Sequence, residues 1–123
     1  MSKPETIMID DVKYIRADSV NNQSEYVDGM KYCVVRTYSA GVHIGYVKDL
    51  GVRHPQEAVL INSRRLHQWN GACSLSQVAM DGVSSDSRIA IEIPEITLTD
   101  VIEAIHCSKK AEEFFKTAKA WKK

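Results

Sequence analysis

Short runs of β-forming residues, each closed by a turn signal, follow one another through most of this sequence. The clearest pair is Lys31 to Tyr38 and Val42 to Val47, which are separated by the turn Ser39-Ala40-Gly41. Successive side chains of a strand point to opposite faces, so Val42 and Ile44 share one face of the second run. This pattern predicts a β-hairpin and favours a fold built around an antiparallel sheet.

The next predicted strand carries the densest polar pattern of the chain. Glu57 to Ile61 is apolar enough for burial on both sides, and Asn62-Ser63 marks a turn or a bulge after it. Beyond this point the residues alternate, which predicts one face formed by Arg65, His67 and Trp69. The opposite face would consist of Arg64, Leu66 and Gln68.

Two later stretches complete the predicted sheet. Arg88 to Ile93 alternates strictly, and Pro94, which has no backbone N–H, is expected to end that strand. Glu95 to Cys107 is ambiguous, because Thr99 could cap a helix whereas the β-branched residues around it favour a strand. We predict a strand there.

Two helices are also predicted. Ser74 can cap a short helix from Leu75 to Met80, which would stop at Asp81-Gly82. Ser108 can cap a longer amphipathic helix at the C-terminus. Its apolar face would consist of Ala111, Phe114, Phe115, Ala118 and Trp121.

These elements predict an α+β fold, in which a small antiparallel β-sheet carries one short helix and a C-terminal amphipathic helix. The same pattern divides the chain into three segments. They are an N-terminal arm and loop over residues 1–30, a β-rich core domain over 31–107 and the C-terminal helix over 108–123.

The composition limits what the chain is expected to do. Its 16 basic and 16 acidic side chains balance, so general binding to nucleic acid is not predicted. No apolar run is longer than the four residues from Ala58 to Ile61, far short of the ~18 residues that span a bilayer. The N-terminal sequence lacks the basic and then apolar order of a secretory signal, so we expect a cytoplasmic protein without membrane contact.

Cysteine and histidine are scattered rather than grouped. The 3 Cys and 4 His show no zinc-binding spacing, so we expect reduced, partly buried thiols and neither a metal nor a cofactor. The recurrent catalytic motifs, from the nucleophile elbow to the P-loop, are also missing from the sequence. A role without catalysis is therefore predicted.

The segment from Arg64 to Ser74 joins cations, an indole and a helix start, which together fit a nucleotide. Arg64 or Arg65 could hold phosphate oxygens as a bidentate fork, and Trp69 could stack on a base. A turn of small residues would let a phosphate approach the amides at the helix start. The predicted ligand-binding residues are Arg64, Arg65, His67, Trp69, Gly71, Ala72, Ser74 and Arg36.

Each of these residues also has a structural interpretation. A tryptophan lies in a core or an interface more often than under a base, and Ser74 caps its helix with or without a ligand. One arginine of the pair could point to solvent or bind an acid such as Asp81. Arg36 and Arg88 could be surface cations, or could add charge to the site if their strands lie beside it.

Over Tyr32 to Cys107 the chain resembles a family of small, uncharacterised bacteriophage proteins. The resemblance is densest from Val59 to Val83, with its arginine pair, tryptophan, Gly-Ala step and Ser-Leu-Ser-Gln helix, and it recurs from Ile96 to Glu103. His106 stands where this family is expected to have a proline. The resemblance implies a phage accessory protein that acts inside the infected cell.

A weaker similarity, of size and general make-up, is to the Thoeris anti-defence proteins. These are compact phage oligomers that sequester cyclic nucleotide signals made by bacterial immune systems. The resulting hypothesis is a non-catalytic sponge, a homo-oligomer that buries a small phosphorylated nucleotide between subunits. The alternative is a protein-interaction module that binds and inhibits a host or defence protein.

Overall fold

The computed structural model describes residues 8–9, 12–13 and 23–122 of the chain. Its elements are β1 (Met8–Ile9), β2 (Val12–Lys13), β3 (Lys31–Thr37), β4 (Val42–Leu50), β5 (Ala58–Gln68), α1 (Leu75–Asp81), β6 (Arg88–Leu98), β7 (Val101–His106) and α2 (Lys109–Thr117). β1 and β2 form a two-stranded sheet of their own. Most of the predicted N-terminal arm lies outside the described residues.

The other five strands form one antiparallel sheet in the order β6-β5-β4-β3-β7. The predicted hairpin lies at its centre, where Arg36 pairs with Val42 and Lys31 pairs with Val47. With α1 and α2 this sheet makes a small α+β domain, which confirms the predicted fold class. Within the described ranges, neither helix is long and apolar enough to cross a membrane.

The sheet is strongly curled. β6 and β7 lie at opposite edges, yet only Thr99 and Asp100 connect them. The edges of a flat sheet of this size would be about 19 Å apart, whereas a two-residue connection spans at most about 11 Å. The edges must therefore approach each other at this end, where the Val101 amide donates to Gln56 O at 2.9 Å.

Each face of the curled sheet buries an apolar cluster. On the face covered by the two helices, here called the helix face, Val34, Ile44 and Leu66 pack with Val78 and Phe115. The opposite face, here called the inner face, carries a second cluster of Cys33, Val35, Ala58, Leu60, Leu98 and Val101. Because these residues come from four strands, the curl closes the sheet around them.

The predicted turn or bulge at Asn62 is a bulge, and β5 runs through it. Asn62 has a φ of +53°. The register with β4 shifts there by one residue, since Tyr46 pairs with Ile61 and Ile44 pairs with Arg64. This extra residue changes which face the later side chains of β5 occupy.

Pro94 does not end its strand, so this prediction was wrong. β6 continues through it to Leu98, and the residues on either side of Pro94 stay paired with β5. β6 is an edge strand, where a missing N–H on the outer side removes no ladder hydrogen bond. The ambiguous stretch after it is extended, apart from the turn at Thr99-Asp100, which confirms the prediction of a strand.

The C-terminal helix begins as predicted but is shorter. Ser108 caps it by accepting a hydrogen bond from the Ala111 amide at 3.0 Å. It ends at Thr117, and Ala118 is extended with φ −65° and ψ 140°, so the predicted helix over 108–123 was too long. The carbonyl groups of Phe115 and Ala118, which a longer helix would use internally, bind the Arg64 guanidinium instead, at 2.7 Å each.

Candidate functional site

Arg64 and Arg65 point to opposite faces of β5, as the alternation predicts. Arg64 is 4% exposed and lies on the helix face. Its guanidinium donates to the carbonyl groups of Phe115 and Ala118, and its Nε donates to Ala90 O at 2.8 Å. Arg64 therefore stabilises the fold, and its position gives no support to the predicted contact with phosphate.

Trp69 does not share the face of Arg65 and His67. It is half-buried and packs against the apolar cluster of the helix face. The alternation breaks because the register between β5 and β6 shifts between Leu66 and Gln68, and β5 then ends. Trp69 thus follows the structural interpretation of its indole, and the predicted face of three residues is wrong at this position.

The predicted anion cradle at the start of α1 is largely occupied by the protein itself. Ser74 accepts a hydrogen bond from the Gln77 amide at 3.3 Å, which confirms it as the cap, and the Gln77 side chain accepts from the Cys73 amide at 2.8 Å. Gly71 stands against Ser84, since a Cβ there would lie 3.0 Å from the Ser84 Cβ. Ala72 packs on the helix-face cluster.

Arg65 borders a hollow of about 180 Å³ on the inner face. One wall is apolar and consists of side chains from β6, whereas the other is polar. The lining residues are His43, Ser63, Arg65, Ala90, Ile91, Ile93 and Ile96. Arg65 supplies the one formal charge among these residues, and it is exposed.

The Ser63 hydroxyl is the most unusual group in this hollow. Ser63 is 1% exposed, and its Oγ has no hydrogen-bond partner within the described part of the chain. Gly45 lies directly beside it, where a Cβ would be 3.0 Å from Ser63 Cα. A buried hydroxyl without a partner costs about 1–3 kcal/mol, so this position favours a partner from outside the chain.

His43 forms the neighbouring wall and pairs with Arg65 in the register of β4 and β5. Its Nε2 donates to Ala40 O at 2.9 Å, because a carbonyl oxygen can only accept. Burial lowers the pKa of His43, and the charge of Arg65 lowers it further, against opposing effects of the Ala40 hydrogen bond and Asp100. The ring is therefore neutral at neutral pH.

An aromatic stack built from three segments lies where β5 ends and β6 begins. The rings of His67 and Trp121 are nearly parallel, with an interplanar angle of 9° and a centroid distance of 5.1 Å. The Arg88 guanidinium carbon lies 5.1 Å from the Trp121 ring centroid, in a cation–π contact. The Trp121 amide donates to Ile89 O at 2.8 Å, which fixes the C-terminal segment to the start of β6.

The hollow and the stack adjoin each other. Two residues along a strand span about 6.6 Å, so His67 follows Arg65 closely along β5. We call the group Ser63, Arg65, His67, Arg88 and Trp121 the Arg65 face. It combines two guanidinium groups, an indole and a free hydroxyl, which are the groups that hold phosphate and stack on a base.

Arg36 lies apart from this face. It is on β3, two strands from β5, and its guanidinium lies 3.6 Å from the Glu103 carboxylate. Val35 rather than Arg36 shares a cross-strand row with His43 and Arg65. Arg36 is therefore a surface cation, whereas Arg88 belongs to a strand that does neighbour the site.

The three thiols are free. Cys33 and Cys107 are buried and Cys73 is exposed. Burial raises the pKa of Cys33 to about 11 and also raises that of Cys107, so both stay protonated at neutral pH. Across the described ranges, no three residues of the types His, Cys, Asp and Glu group as a metal site.

Sequence reasoning missed Ser63, His43 and Trp121 as members of the site. Ser63 has a local signal, because it precedes Arg65 and His67 by the two-residue period of one strand face. Trp121 was missed because the sequence pattern places it on the apolar face of the C-terminal helix. Its contact with His67 depends on where that helix ends.

Comparison with known proteins gives one match. The family model described as Domain of unknown function (DUF6948) matches residues 30–115. No curated protein and no solved structure matches the chain. The matched range contains the whole five-stranded sheet and all of the Arg65 face except Trp121.

Proposed function

The chain belongs to the DUF6948 family of domains of unknown function, and we propose that it binds a small phosphorylated nucleotide without turning it over. The observation that carries this proposal is the stack of Trp121 on His67, at 5.1 Å, two residues along β5 from Arg65. The exposed stack of His67 and Trp121, together with an exposed guanidinium two residues along β5, offers aromatic surface for a base and a fork for a phosphate.

The size of the hollow supports a homo-oligomer. Its volume of about 180 Å³ is below the roughly 300–1,000 Å³ of pockets that enclose drug-sized ligands. The proposed ligand therefore lies partly outside it, along the Trp121 stack, and a second copy of the chain covers the exposed part. Enclosure between subunits gives the tight binding that sequestration needs.

The resemblance to phage proteins supports a more specific proposal for the ligand and the role. The ligand is a cyclic-nucleotide-type signal of a bacterial immune system, and the protein sequesters it in the cytoplasm of the infected cell. Binding alone suffices for this role, so no residue of the Arg65 face is assigned a catalytic step.

The test is a thermal-shift panel of cyclic di- and trinucleotides and cyclic ADP-ribose isomers on the purified protein. A ligand at 100 times its Kd should add about 2.7 kcal/mol to the free energy of unfolding. Arg65→Gln and Trp121→Leu should remove the shift, whereas Trp69→Phe should keep it. A shift that depends on Trp69 and not on Trp121 would contradict the proposed site.

The fate of the ligand separates binding from catalysis. Heating the complex should release the nucleotide intact, and an altered nucleotide would identify an enzyme instead. Native mass spectrometry should show an oligomer with one retained ligand at each shared site. A ligand-bound monomer would contradict enclosure between subunits.

A second candidate function, a module that binds and inhibits another protein, is favoured by one observation. Ile91 and Trp121 are 49% and 45% exposed, next to Arg88 on the edge strand. Tryptophan and arginine are the residue types that most often dominate protein interfaces. If this function is correct, no nucleotide in the panel stabilises the protein.

A further inference from the structure

We propose that the hollow beside Arg65 is an oxyanion subsite, in which Ser63 and Arg65 together hold the phosphate of the ligand. This inference rests on the proposed function and adds the chemical group that enters the hollow. It assigns a binding role to Ser63, a residue that the sequence pattern did not single out.

The first support is the state of the Ser63 hydroxyl. Hydroxyl groups that are buried in folded proteins nearly always have a hydrogen-bond partner. Ser63 is 1% exposed and lines the hollow, but its Oγ has no partner in residues 23–122. A ligand oxygen that accepts from this O–H would remove the cost of burying it.

The second support is the charge of the hollow. Arg65 follows Ser63 by two residues, so both side chains lie on the same face of β5. The guanidinium is exposed, and no ion pair of Arg65 with a described carboxylate is found. His43 is neutral, so the net charge of the lining is positive and favours an anion.

The third support is the apolar wall opposite these donors. Ile91, Ile93 and Ile96 line it. Hydrogen bonds and charge interactions are stronger next to apolar groups than in water. The volume of about 180 Å³ suits a single oxyanion group rather than a whole nucleotide.

Inorganic phosphate is the probe for this subsite, and ³¹P NMR line broadening at neutral pH measures its affinity. Ser63→Ala and Arg65→Gln should each weaken phosphate binding about tenfold or more, since hydrogen bonds to charged groups contribute about 1.5–3 kcal/mol. Arg53→Gln changes an exposed arginine elsewhere and should have no effect. Wild-type affinity in Ser63→Ala, or no binding by the wild type, would overturn the proposal.

Ser63→Ala is also expected to fold normally. It removes a buried hydroxyl that has no partner, so its free energy of unfolding should match or exceed that of the wild type. A lost phosphate signal in a variant of unchanged stability therefore reports on the site itself. If Ser63→Ala unfolds, Ser63→Cys keeps the size of the side chain and should show the same loss of phosphate.

The two proposals can fail separately. Phosphate binding that needs Ser63 and Arg65, in a protein that binds no nucleotide of the panel, would support the subsite and overturn the nucleotide function. Nucleotide binding that needs Trp121 but is unchanged in Ser63→Ala would support the function and overturn the subsite.

Discussion

The guanidinium of Arg64 donates to the carbonyl oxygen of Ala118 at 2.7 Å, which joins the middle of the sheet to the end of the C-terminal helix. The same nitrogen donates to Phe115 O at 2.7 Å, and Nε donates to Ala90 O at 2.8 Å. From this junction the chain continues to Trp121. Arg64, which the sequence pattern predicts to bind a ligand, thus positions the indole of Trp121.

Arg64→Met should lower the free energy of unfolding by roughly 3 kcal/mol. Three carbonyl groups lose a charged donor, while methionine replaces only the apolar part of the side chain. The midpoint of urea unfolding measures the loss. Arg36→Met, on an exposed arginine that pairs with the exposed Glu103, should stay within about 0.5 kcal/mol of the wild type. Equal losses in the two variants would mean that the Arg64 contacts contribute little.

The same substitution should release Trp121. In a Trp69→Phe background, Trp121 is the single tryptophan, because the chain has 2. Adding Arg64→Met should shift its fluorescence emission to the red and increase quenching by acrylamide, since the segment after Ala118 loses its attachment. Adding Arg36→Met should leave both unchanged. An unaltered spectrum in folded Arg64→Met would show that the Trp121 stack holds this segment without Arg64.

Gly71→Ala should destabilise the protein more than Gly41→Ala does. Both glycines have left-handed backbones, with φ of +87° and +86°, so the backbone strain of alanine is similar. A Cβ at Gly71 would lie 3.0 Å from the Ser84 amide nitrogen, whereas none of the surrounding atoms lies within 4 Å of a Cβ at Gly41.

The difference between these two glycine variants isolates the close approach to Ser84. We expect the free energy of unfolding of Gly71→Ala, measured by heat or urea, to be about 1–2 kcal/mol lower than that of Gly41→Ala, which is the range for an overpacked contact. Nucleotide binding should be unchanged in Gly71→Ala, because the turn lies outside the Arg65 face. If both variants lose the same free energy of unfolding, the loop around Ser84 moves away from the new Cβ at little cost.

Stability should fall as the solution becomes more acidic than about pH 6.5. Burial lowers the pKa of His43, where Arg65 acts in the same direction and Asp100 opposes it. Burial also lowers the pKa of His106. The charge of Lys31 lowers this pKa further, whereas Glu112 raises it. Below the ordinary histidine pKa of about 6.5 the unfolded chain binds more protons, so the free energy of unfolding decreases with falling pH.

The slope of stability with pH tests this assignment. In urea unfolding between about pH 7 and 5, the range in which unfolded histidine takes up its proton, His43→Leu should have a smaller slope than the wild type. Exposed His54→Gln serves as the control and should keep the wild-type slope. If His43→Leu and His106→Gln both keep the wild-type slope, groups other than these histidines cause the loss of stability at low pH.

The elements that could be predicted from the sequence depend on neighbouring residues. The hairpin follows from two alternating runs around a small-residue turn, and the helix starts follow from Ser74 and Ser108, whose hydroxyls accept as expected. The separation of Arg64 from Arg65 follows from the period of a strand. In each of these cases the deciding contact lies within a few residues.

The candidate site could be predicted only in part. Arg65 and His67 are both exposed on β5, as the alternation predicts, but the register shift before Gln68 turns Trp69 towards the helix face. The expected chemistry, a guanidinium beside an indole, is present with a different tryptophan. No local pattern could identify Trp121, since its position depends on Arg64, which binds the last carbonyl groups of its helix from a distant strand.

The sequence by itself determined the hairpin, the helix caps and the opposite faces of Arg64 and Arg65, because alternation and capping involve atoms that are close along the chain. The tertiary structure alone decided which side chains meet. A two-residue link between edge strands curls the sheet, bulges shift its register, and one buried arginine caps the end of α2. These contacts join residues far apart in the chain, so their outcome depends on the packing of the whole domain.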